Sequence, residues 1–131
     1  MAMDTLADFV PSDLLGRLNT LKTQDIDTLG FGAIKLDKQG KILAYNAYES
    51  KLTGVKPGDA IGRNFFTEVA PCTNVREFGG AFREGVAKGE MSRIFRYTFD
   101  YNMTPTKVTV TLHFDKKEGV AWVFVRKFEE V

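Results

Sequence analysis

The first part of the chain has the hydrophobic spacing of short amphipathic helices. Up to residue 29, apolar side chains recur at steps of three and four positions, which places them on one helical face. They are Leu6, Phe9, Val10, Leu14, Leu15, Leu18 and Leu21. Pro11, directly before Ser12 and Asp13, indicates a break and a second helix start. Helices this short are marginal unless docked, so residues 1–28 are predicted to form a helical cap, the least stable element, on a core of residues 29–131.

The pattern then changes to strands and short helices. Residues 31–36 and 41–45 are rich in β-forming side chains, and the turn between them closes on Gly40. A short helix over residues 47–52 is predicted to end at Gly54. The middle of the chain therefore begins with a hairpin and continues as helix.

The clearest helix signal begins near residue 74. Asn74 and Glu77 have the spacing of a capping box, with Asn in place of Ser or Thr. The apolar residues of the predicted helical face are Val75, Phe78, Phe82 and Val86. Gly89 is predicted to end this helix.

Alternation of apolar and polar side chains predicts three strands in the last third, over residues 94–101, 108–114 and 120–127. An aromatic ladder shares one face of the first of them: Phe95, Tyr97, Phe99 and Tyr101. Such a ladder is sheet packing rather than a ligand wall by roughly four to one. His113 falls on the less apolar face of its strand and is predicted to be exposed. Together the elements predict an α+β fold, a five-stranded antiparallel sheet with helices mainly on one face.

Composition excludes several classes of function. Eighteen Lys and Arg against 17 Asp and Glu give a net charge of +1, which offers nucleic acid no cluster of positive charge. The longest apolar run, residues 120–125, is far short of the roughly 20 residues of a membrane-spanning helix, so no membrane insertion is expected. The first ten residues lack the basic leader of a signal peptide, and we expect a cytoplasmic protein. One Cys and one His cannot form a disulfide framework or a four-ligand zinc site.

The single cysteine is the first candidate for chemistry. Cys72 immediately precedes the predicted helix start, where the partial positive charge of a helix N-terminus favours a thiolate and polarises an acyl oxygen bound nearby. From position alone, an inert buried thiol is favoured at about three chances in four. A Cys–His catalytic site would have to use His113, and no pattern places that residue near Cys72, so an enzyme is not expected.

A second candidate is a polar cluster spaced four residues apart. If a helix starts near Tyr45, then Tyr45, Glu49 and Thr53 project from one face. Turned inward, they form a hydrogen-bonding cluster in which burial raises the pKa of Glu49 and makes it a donor. Spacing alone favours the alternative by about two to one, with Glu49 and Thr53 facing water. The many Phe residues, eleven against four Tyr and one Trp, suit either a plain core or a pocket for a flat ligand.

Six segments of the chain closely resemble the photoactive yellow protein family. They are FGAIKLD (31–37), YNAYE (45–49), LTG (52–54), IGRNFF (61–66), VAPCT (69–73) and YTFDYNMTPTKV (97–108), and the similarity runs in order from about residue 29 to residue 126. The resemblance implies the PAS fold and a blue-light photoreceptor that carries p-coumaric (4-hydroxycinnamic) acid as a thioester on its single cysteine. Light would then drive trans–cis isomerisation, proton transfer from a buried glutamate to the phenolate, and loosening of the N-terminal cap. The implied partners are this small-molecule chromophore and an unnamed downstream signalling protein.

Carried over by position, the resemblance makes Cys72 the attachment point. It implies that Tyr45 and Glu49 hydrogen-bond the chromophore's phenolate, that Thr53 supports Tyr45, and that Met103 lies near the chromophore and speeds its thermal return. The residues expected to line or adjoin the pocket are Ile34, Phe65, Val69, Phe99 and Tyr101. The chain departs at Val55, where the best-known members carry an arginine over the chromophore ring. Colour and photocycle rates therefore do not transfer from relatives.

Two other functions stay open on the sequence. The main alternative is a PAS-like module that holds a different small ligand, or none, and acts in dimerisation or partner binding. A cysteine acyl transferase that uses Cys72 and His113 ranks third.

Overall fold

A computed structural model of the protein describes residues 8–128 and contains one antiparallel sheet of five strands. The strands are β1 (Gly32–Leu36), β2 (Ile42–Tyr45), β3 (Ser92–Phe99), β4 (Thr106–Asp115) and β5 (Val120–Lys127). They lie in the order β2-β1-β5-β4-β3, so that the first and last strands are neighbours in the middle. The predicted α+β fold with a five-stranded antiparallel sheet is confirmed.

Six short helical segments connect β2 to β3. They are α3 (Ala47–Thr53), α4 (Pro57–Ala60), a π-helical turn (Phe65–Val69), a 3-10 helix (Pro71–Thr73), a second π-helical turn (Arg76–Gly80) and α5 (Ala81–Lys88). Their apolar side chains pack with Ile34, Val110 and Val123 of the sheet into the larger core cluster. The aromatic rings of Phe65, Phe66 and Phe78 meet there at centroid distances of 5.1–5.9 Å.

The helix predicted from residue 74 starts differently from the expectation. The capping box of Asn74 and Glu77 is wrong, because the chain turns tightly after Thr73 and Val75 becomes the residue before the first helical turn. Asn74 Oδ1 instead accepts from Arg83 at 3.2 Å, and Val75 is exposed rather than on the buried face.

Two predictions in the last third of the chain also need correction. β3 ends at Phe99, and a turn with a left-handed Asn102 leads the chain away, so Tyr101 is 45% exposed and lies outside the aromatic ladder. His113 is half-buried rather than exposed, because it pairs across the sheet with the buried Trp122.

The N-terminal segment covers the other face of the sheet. Its helices are α1 (Ser12–Leu15), a 3-10 helix (Leu18–Thr20) and α2 (Thr23–Asp27), all as short as the sequence indicates. The residues that it buries against β1 and β5 are Val10, Leu14, Leu18 and Ile26, which meet Phe31, Ala33, Val120, Trp122 and Phe124. Leu6 and the start of the predicted cap lie outside the described residues. Between residues 8 and 128 no helix has the length and hydrophobicity that a membrane span requires.

One side chain joins the cap, the sheet and α3. Asn46 is fully buried, and its amide nitrogen donates to the carbonyl oxygens of Ile26 (2.8 Å) and Phe31 (2.9 Å). Its amide oxygen accepts from the backbone N–H groups of Ala33 (2.9 Å) and Glu49 (3.2 Å). Asn46 is thus the N-cap of α3 and uses its full hydrogen-bonding capacity. Nearby, Asp27 Oδ1 accepts from Ala47 N at 2.9 Å.

Replacement of Asn46 should therefore destabilise the whole molecule. We expect Asn46→Ala to lower the free energy of unfolding by roughly 2–4 kcal/mol, because it removes four buried hydrogen bonds and leaves the carbonyl of Phe31 and the N–H groups of Ala33 and Glu49 without this partner. Urea unfolding measures the change, with Asn74→Ala as the exposed control, expected to cost less than about 1 kcal/mol. Equal losses in the two variants would show that the bonds of Asn46 contribute no more than a surface contact.

Candidate functional site

The local sequence of β2 and α3 brings three polar side chains together. Tyr45 is the last residue of β2, Glu49 lies in the first turn of α3, and Thr53 is its last residue. Gly54, in the left-handed conformation with φ of 81°, ends the helix and donates its N–H to the carbonyl of Ser50. The helix begins at Ala47 rather than at Tyr45, and the three side chains still face one region because the strand leads directly into the helix.

The hydroxyl of Thr53 is fully used in this cluster. Its hydrogen goes to the carbonyl oxygen of Glu49 at 3.0 Å, and its oxygen accepts from Val55 N at 3.2 Å. The Thr53 and Tyr45 hydroxyl oxygens are 2.7 Å apart. Since a hydroxyl has one hydrogen, Tyr45 is the donor in that bond. Burial raises the pKa of Tyr45, and the charge of Glu49 adds to this effect while the Thr53 bond opposes it, so Tyr45 is a phenol and not a phenolate.

Glu49 is a fully buried carboxyl group. Its exposed fraction is 0%, and neither carboxyl oxygen has a hydrogen-bond partner among the described residues. Burial raises its pKa to about 8, so the group is mostly neutral at pH 7. The expectation from spacing alone, in which Glu49 and Thr53 face water, is wrong for Glu49, because α3 lies against β1 and turns that residue toward the core; Thr53 is half-buried. A buried carboxyl without a partner is costly, and it is the usual mark of a missing ligand or a functional group.

Cys72 lies in the 3-10 helix Pro71–Thr73 and is half-buried. The helix proper begins only at Arg76, so the expected position of the thiol at a helix N-terminus is wrong. The turn is fixed instead by two side chains, as Thr73 Oγ1 donates to Ala70 O at 2.7 Å and Tyr97 Oη donates to the Cys72 carbonyl. The thiol is free.

A cavity of about 500 Å³ opens beside Cys72, within the range of small-molecule pockets. Its lining residues are Thr53, Gly54, Val55, Asp59, Arg63, Glu68, Val69, Ala70, Cys72, Phe99, Tyr101, Asn102 and Met103. Thr53 links this wall to Tyr45 through their hydrogen bond, and both Tyr45 and Glu49 are buried in the core. The cavity is thus lined by Cys72 and by Thr53, the half-buried end of the polar cluster.

The other expected pocket residues divide into two groups. Val69, Phe99, Tyr101 and Met103 line the cavity, as does Val55. Ile34 and Phe65 are 0% and 1% exposed and belong to the core cluster behind it. Phe99, expected to belong to a packing ladder, both packs in the core and contributes to the wall.

His113 is remote from this cavity. It lines a different groove of about 750 Å³, with Leu15 of the cap and Met91 before β3, and no histidine is among the described residues that line the Cys72 cavity. Burial lowers the pKa of His113, and Asp115 opposes this shift. The geometry that a Cys–His acyl transferase needs is absent from residues 8–128.

The sequence interpretation missed two residues that build the site. Asn46 directly precedes the predicted helix over residues 47–52, and an Asn in that place is a standard N-cap signal that would have identified it. Tyr97 was assigned to a packing ladder, and its hydrogen bond to the Cys72 carbonyl spans 25 positions of the chain. No local pattern predicts a contact at that separation.

Comparison with known proteins identifies what this site resembles. Residues 24–126 match the family model described as the PAS fold. The chain is 49% identical over 119 residues to photoactive yellow protein from Rhodothalassium salexigens, covering 91% of this chain and 95% of that protein. It is 45% identical to photoactive yellow protein from Halochromatium salexigens, over 93% of this chain and 98% of that protein.

A solved structure gives the same result. The photoactive yellow protein domain of the sensor histidine kinase Ppr from Rhodospirillum centenum superposes with a TM-score of 0.82 at 42% identity. The match covers 86% of this chain and 99% of that one. Fold and sequence therefore agree over nearly all of the described residues.

The buried carboxyl predicts a pH dependence of stability in the chain without a ligand. The pKa of Glu49 is about 8 in the folded chain, whereas its ordinary value, expected in the unfolded chain, is 4.5. Between pH 4.5 and pH 8 the folded chain therefore holds a proton on Glu49 that the unfolded chain releases. The free energy of unfolding should therefore fall as pH rises from about 4.5 to about 8, by a few kcal/mol in total, since each pKa unit is worth about 1.4 kcal/mol.

Urea unfolding across this range measures the slope. Glu49→Gln should flatten it, whereas Glu68→Gln, which changes an exposed carboxyl at the cavity, should keep it. A wild-type slope that survives in Glu49→Gln would mean that the Glu49 carboxyl does not titrate as its burial requires.

Proposed function

Since the chain belongs to the photoactive yellow protein family of PAS-fold proteins, we propose that it senses blue light through p-coumaric acid held as a thioester on Cys72. As a member of that family it is a light-sensing receptor with a small-molecule chromophore, and not an enzyme. The identity of the chromophore, its attachment and the signalling steps are our proposal. The observation that supports them best is the fully buried Glu49 carboxyl without a partner, on the helix whose last residue, Thr53, lines a cavity together with the one cysteine of the chain.

The residues present fit a phenolic acyl group. Cys72 offers a free, half-buried thiol on the wall of a cavity large enough for a small flat molecule. Phe99 and Met103 supply apolar surface on the same wall. Glu49 lacks an acceptor for its acidic hydrogen, and a phenolate oxygen is the chemical group that such a buried neutral acid would bind by a strong, charge-assisted hydrogen bond.

When bound, the p-coumaroyl group would supply a conjugated phenolate that absorbs blue light and a double bond that can isomerise. In the dark, Glu49 would donate one hydrogen bond to the phenolate oxygen. Tyr45 donates a second, and to do so it withdraws its hydrogen from Thr53. The Thr53 hydroxyl can rotate in response, from the Glu49 carbonyl to the Tyr45 oxygen, which is 2.7 Å away. Thr53 thereby supports Tyr45 without any movement of the backbone.

The signal follows from the proton on Glu49. If Glu49 gives up that proton to the phenolate oxygen after illumination, a carboxylate is left in an apolar site, at an effective penalty of several kcal/mol. That penalty is comparable with the roughly 5–15 kcal/mol that stabilise a whole domain. Glu49 lies on α3, whose N-terminus is bound by Asn46 and Asp27, so strain on α3 reaches the cap directly. Loosening of the cap, residues 1–28, is the expected relief.

Loosening exposes an apolar surface. The described cap residues cover Phe31, Trp122 and Phe124, and their release would uncover this aromatic face for a downstream signalling protein. One relative of known structure is a domain of a sensor histidine kinase, which is an example of such a signalling protein. Val55 and Met103 on the cavity wall are expected to set the colour and the rate of thermal return of this chain.

Attachment is tested first by mass and colour. The full chain, incubated with activated p-coumaric acid, should turn yellow and gain the mass of one p-coumaroyl group, and Cys72→Ala should do neither. Tyr97→Phe, which removes the bond to the Cys72 carbonyl but keeps the thiol, is the matched control and should still load. A wild-type chain that stays colourless and gains no mass would favour the alternative PAS module with a different ligand or none.

The proton step is tested by the response of the cap to light. Amide hydrogen exchange of residues 10–27 in the loaded chain should become faster on illumination, and Glu49→Gln, which has no proton to give, should lose most of this acceleration. Glu68→Gln should respond like the wild type, because its amide oxygen can still accept from Asn64 N. A Glu49→Gln chain whose cap loosens fully in light would exclude proton transfer as the trigger.

A further inference from the structure

Gly32 occupies a position whose backbone does not require glycine. It is the first residue of β1, is buried, and pairs with Val125 of β5. Its φ lies outside the left-handed region, unlike that of the five glycines with positive φ. Glycine in a strand weakens it, because the unfolded chain gains entropy and the strand has no side chain to pack. Its presence here calls for another reason, and a close approach by a neighbouring group is the usual one.

The neighbour is the carboxyl group of Glu49. A Cβ atom built on Gly32 would overlap Glu49 Oε1, and it would lie 3.4 Å from Glu49 Cβ and 3.3 Å from Val125 O. The carboxyl therefore fills the space that the side chain of any other residue at this position would occupy. Both residues are buried, so the carboxyl cannot move aside into water.

We propose that Gly32 is a positioning residue for the photoreceptor, because its missing side chain provides the space in which the neutral Glu49 carboxyl is held. The functional part of this inference rests on the function proposed above. The steric part, that a side chain at residue 32 would displace the Glu49 carboxyl, does not depend on that function. The carboxyl in this space is fully buried, and that burial raises its pKa. A methyl group at residue 32 would force the carboxyl out of this position.

The steric part is tested by a double-mutant cycle without any chromophore. Gly32→Ala should lower the melting temperature of the full chain by roughly 5–10 °C, the effect of overpacking a well-filled site. In Glu49→Ala, where the carboxyl is absent, Gly32→Ala should shift it by less than a third of that amount. Gly30→Ala is the matched control, since a Cβ atom there meets nothing within 4 Å, and it should change neither background.

Two results would overturn the steric part. One is an equal loss in both backgrounds, which would assign the need for glycine to the contact with Val125 O rather than to Glu49. The other is no loss in either. A Gly32→Ala chain that fails to fold still decides the matter, because folding restored by Glu49→Ala supports the proposal and failure in both backgrounds contradicts it.

The functional part is tested in chains that have been loaded with p-coumaric acid. Gly32→Ala should shift the absorption maximum and raise the pH midpoint for formation of the coloured phenolate by about one pH unit or more, in the same direction as Glu49→Ala. The two changes combined should do no more than Glu49→Ala alone. A Gly32→Ala spectrum and midpoint equal to those of wild type would overturn the positioning role. Two results would count against the proposed function instead: a wild-type chain that does not take up p-coumaric acid, or a loaded Glu49→Ala chain with the same spectrum as the loaded wild type. In either case the double-mutant cycle of melting temperatures still decides the steric part.

Discussion

A buried carboxyl group without a hydrogen-bond partner is the interaction on which the site depends. Glu49 is inaccessible to solvent and its oxygens contact no donor in the described part of the chain, so its neutral form is favoured up to a pH of about 8. The protein accepts this cost, which is typically a few kcal/mol for an unsatisfied polar group. A phenolate ligand would turn the same group into a strong donor, and removal of the proton would turn it into a destabilising charge.

The rest of the fold holds that carboxyl in place. Gly32 leaves the space for it, and Asn46 fixes the start of the helix from which it projects. Asn46 also bonds to the cap through Ile26, so a disturbance at α3 is shared with the opposite face of the sheet. Thr53 connects the buried cluster to the cavity wall on which Cys72 lies. In the proposed mechanism, a charge formed at Glu49 would act on the cap through these hydrogen bonds.

The sequence predicts the parts of this structure that local rules determine. The alternation of apolar residues located β3 to β5, and the helix stop at Gly54 followed from the preference of glycine for the left-handed conformation. Tertiary packing decided the rest. Spacing alone favoured an exposed Glu49, because nothing in α3 signals that β1 contains a glycine beneath it. The capping box at Asn74 was wrong because a turn after Thr73 shifted the helix start. Position alone made Cys72 a candidate but favoured an inert thiol, and only the family resemblance favoured an attachment point.

The central claim is that Glu49 holds a proton in the dark and loses it in the light. Infrared difference spectroscopy of the loaded full chain tests this most directly, because a protonated carboxyl has a C=O stretching band that a carboxylate lacks. We expect a dark-state band that is absent from Glu49→Gln, and we expect it to disappear on illumination before amide exchange of the cap accelerates. A band of Glu49 that persists while the cap loosens, or that is missing in the dark, would contradict the account.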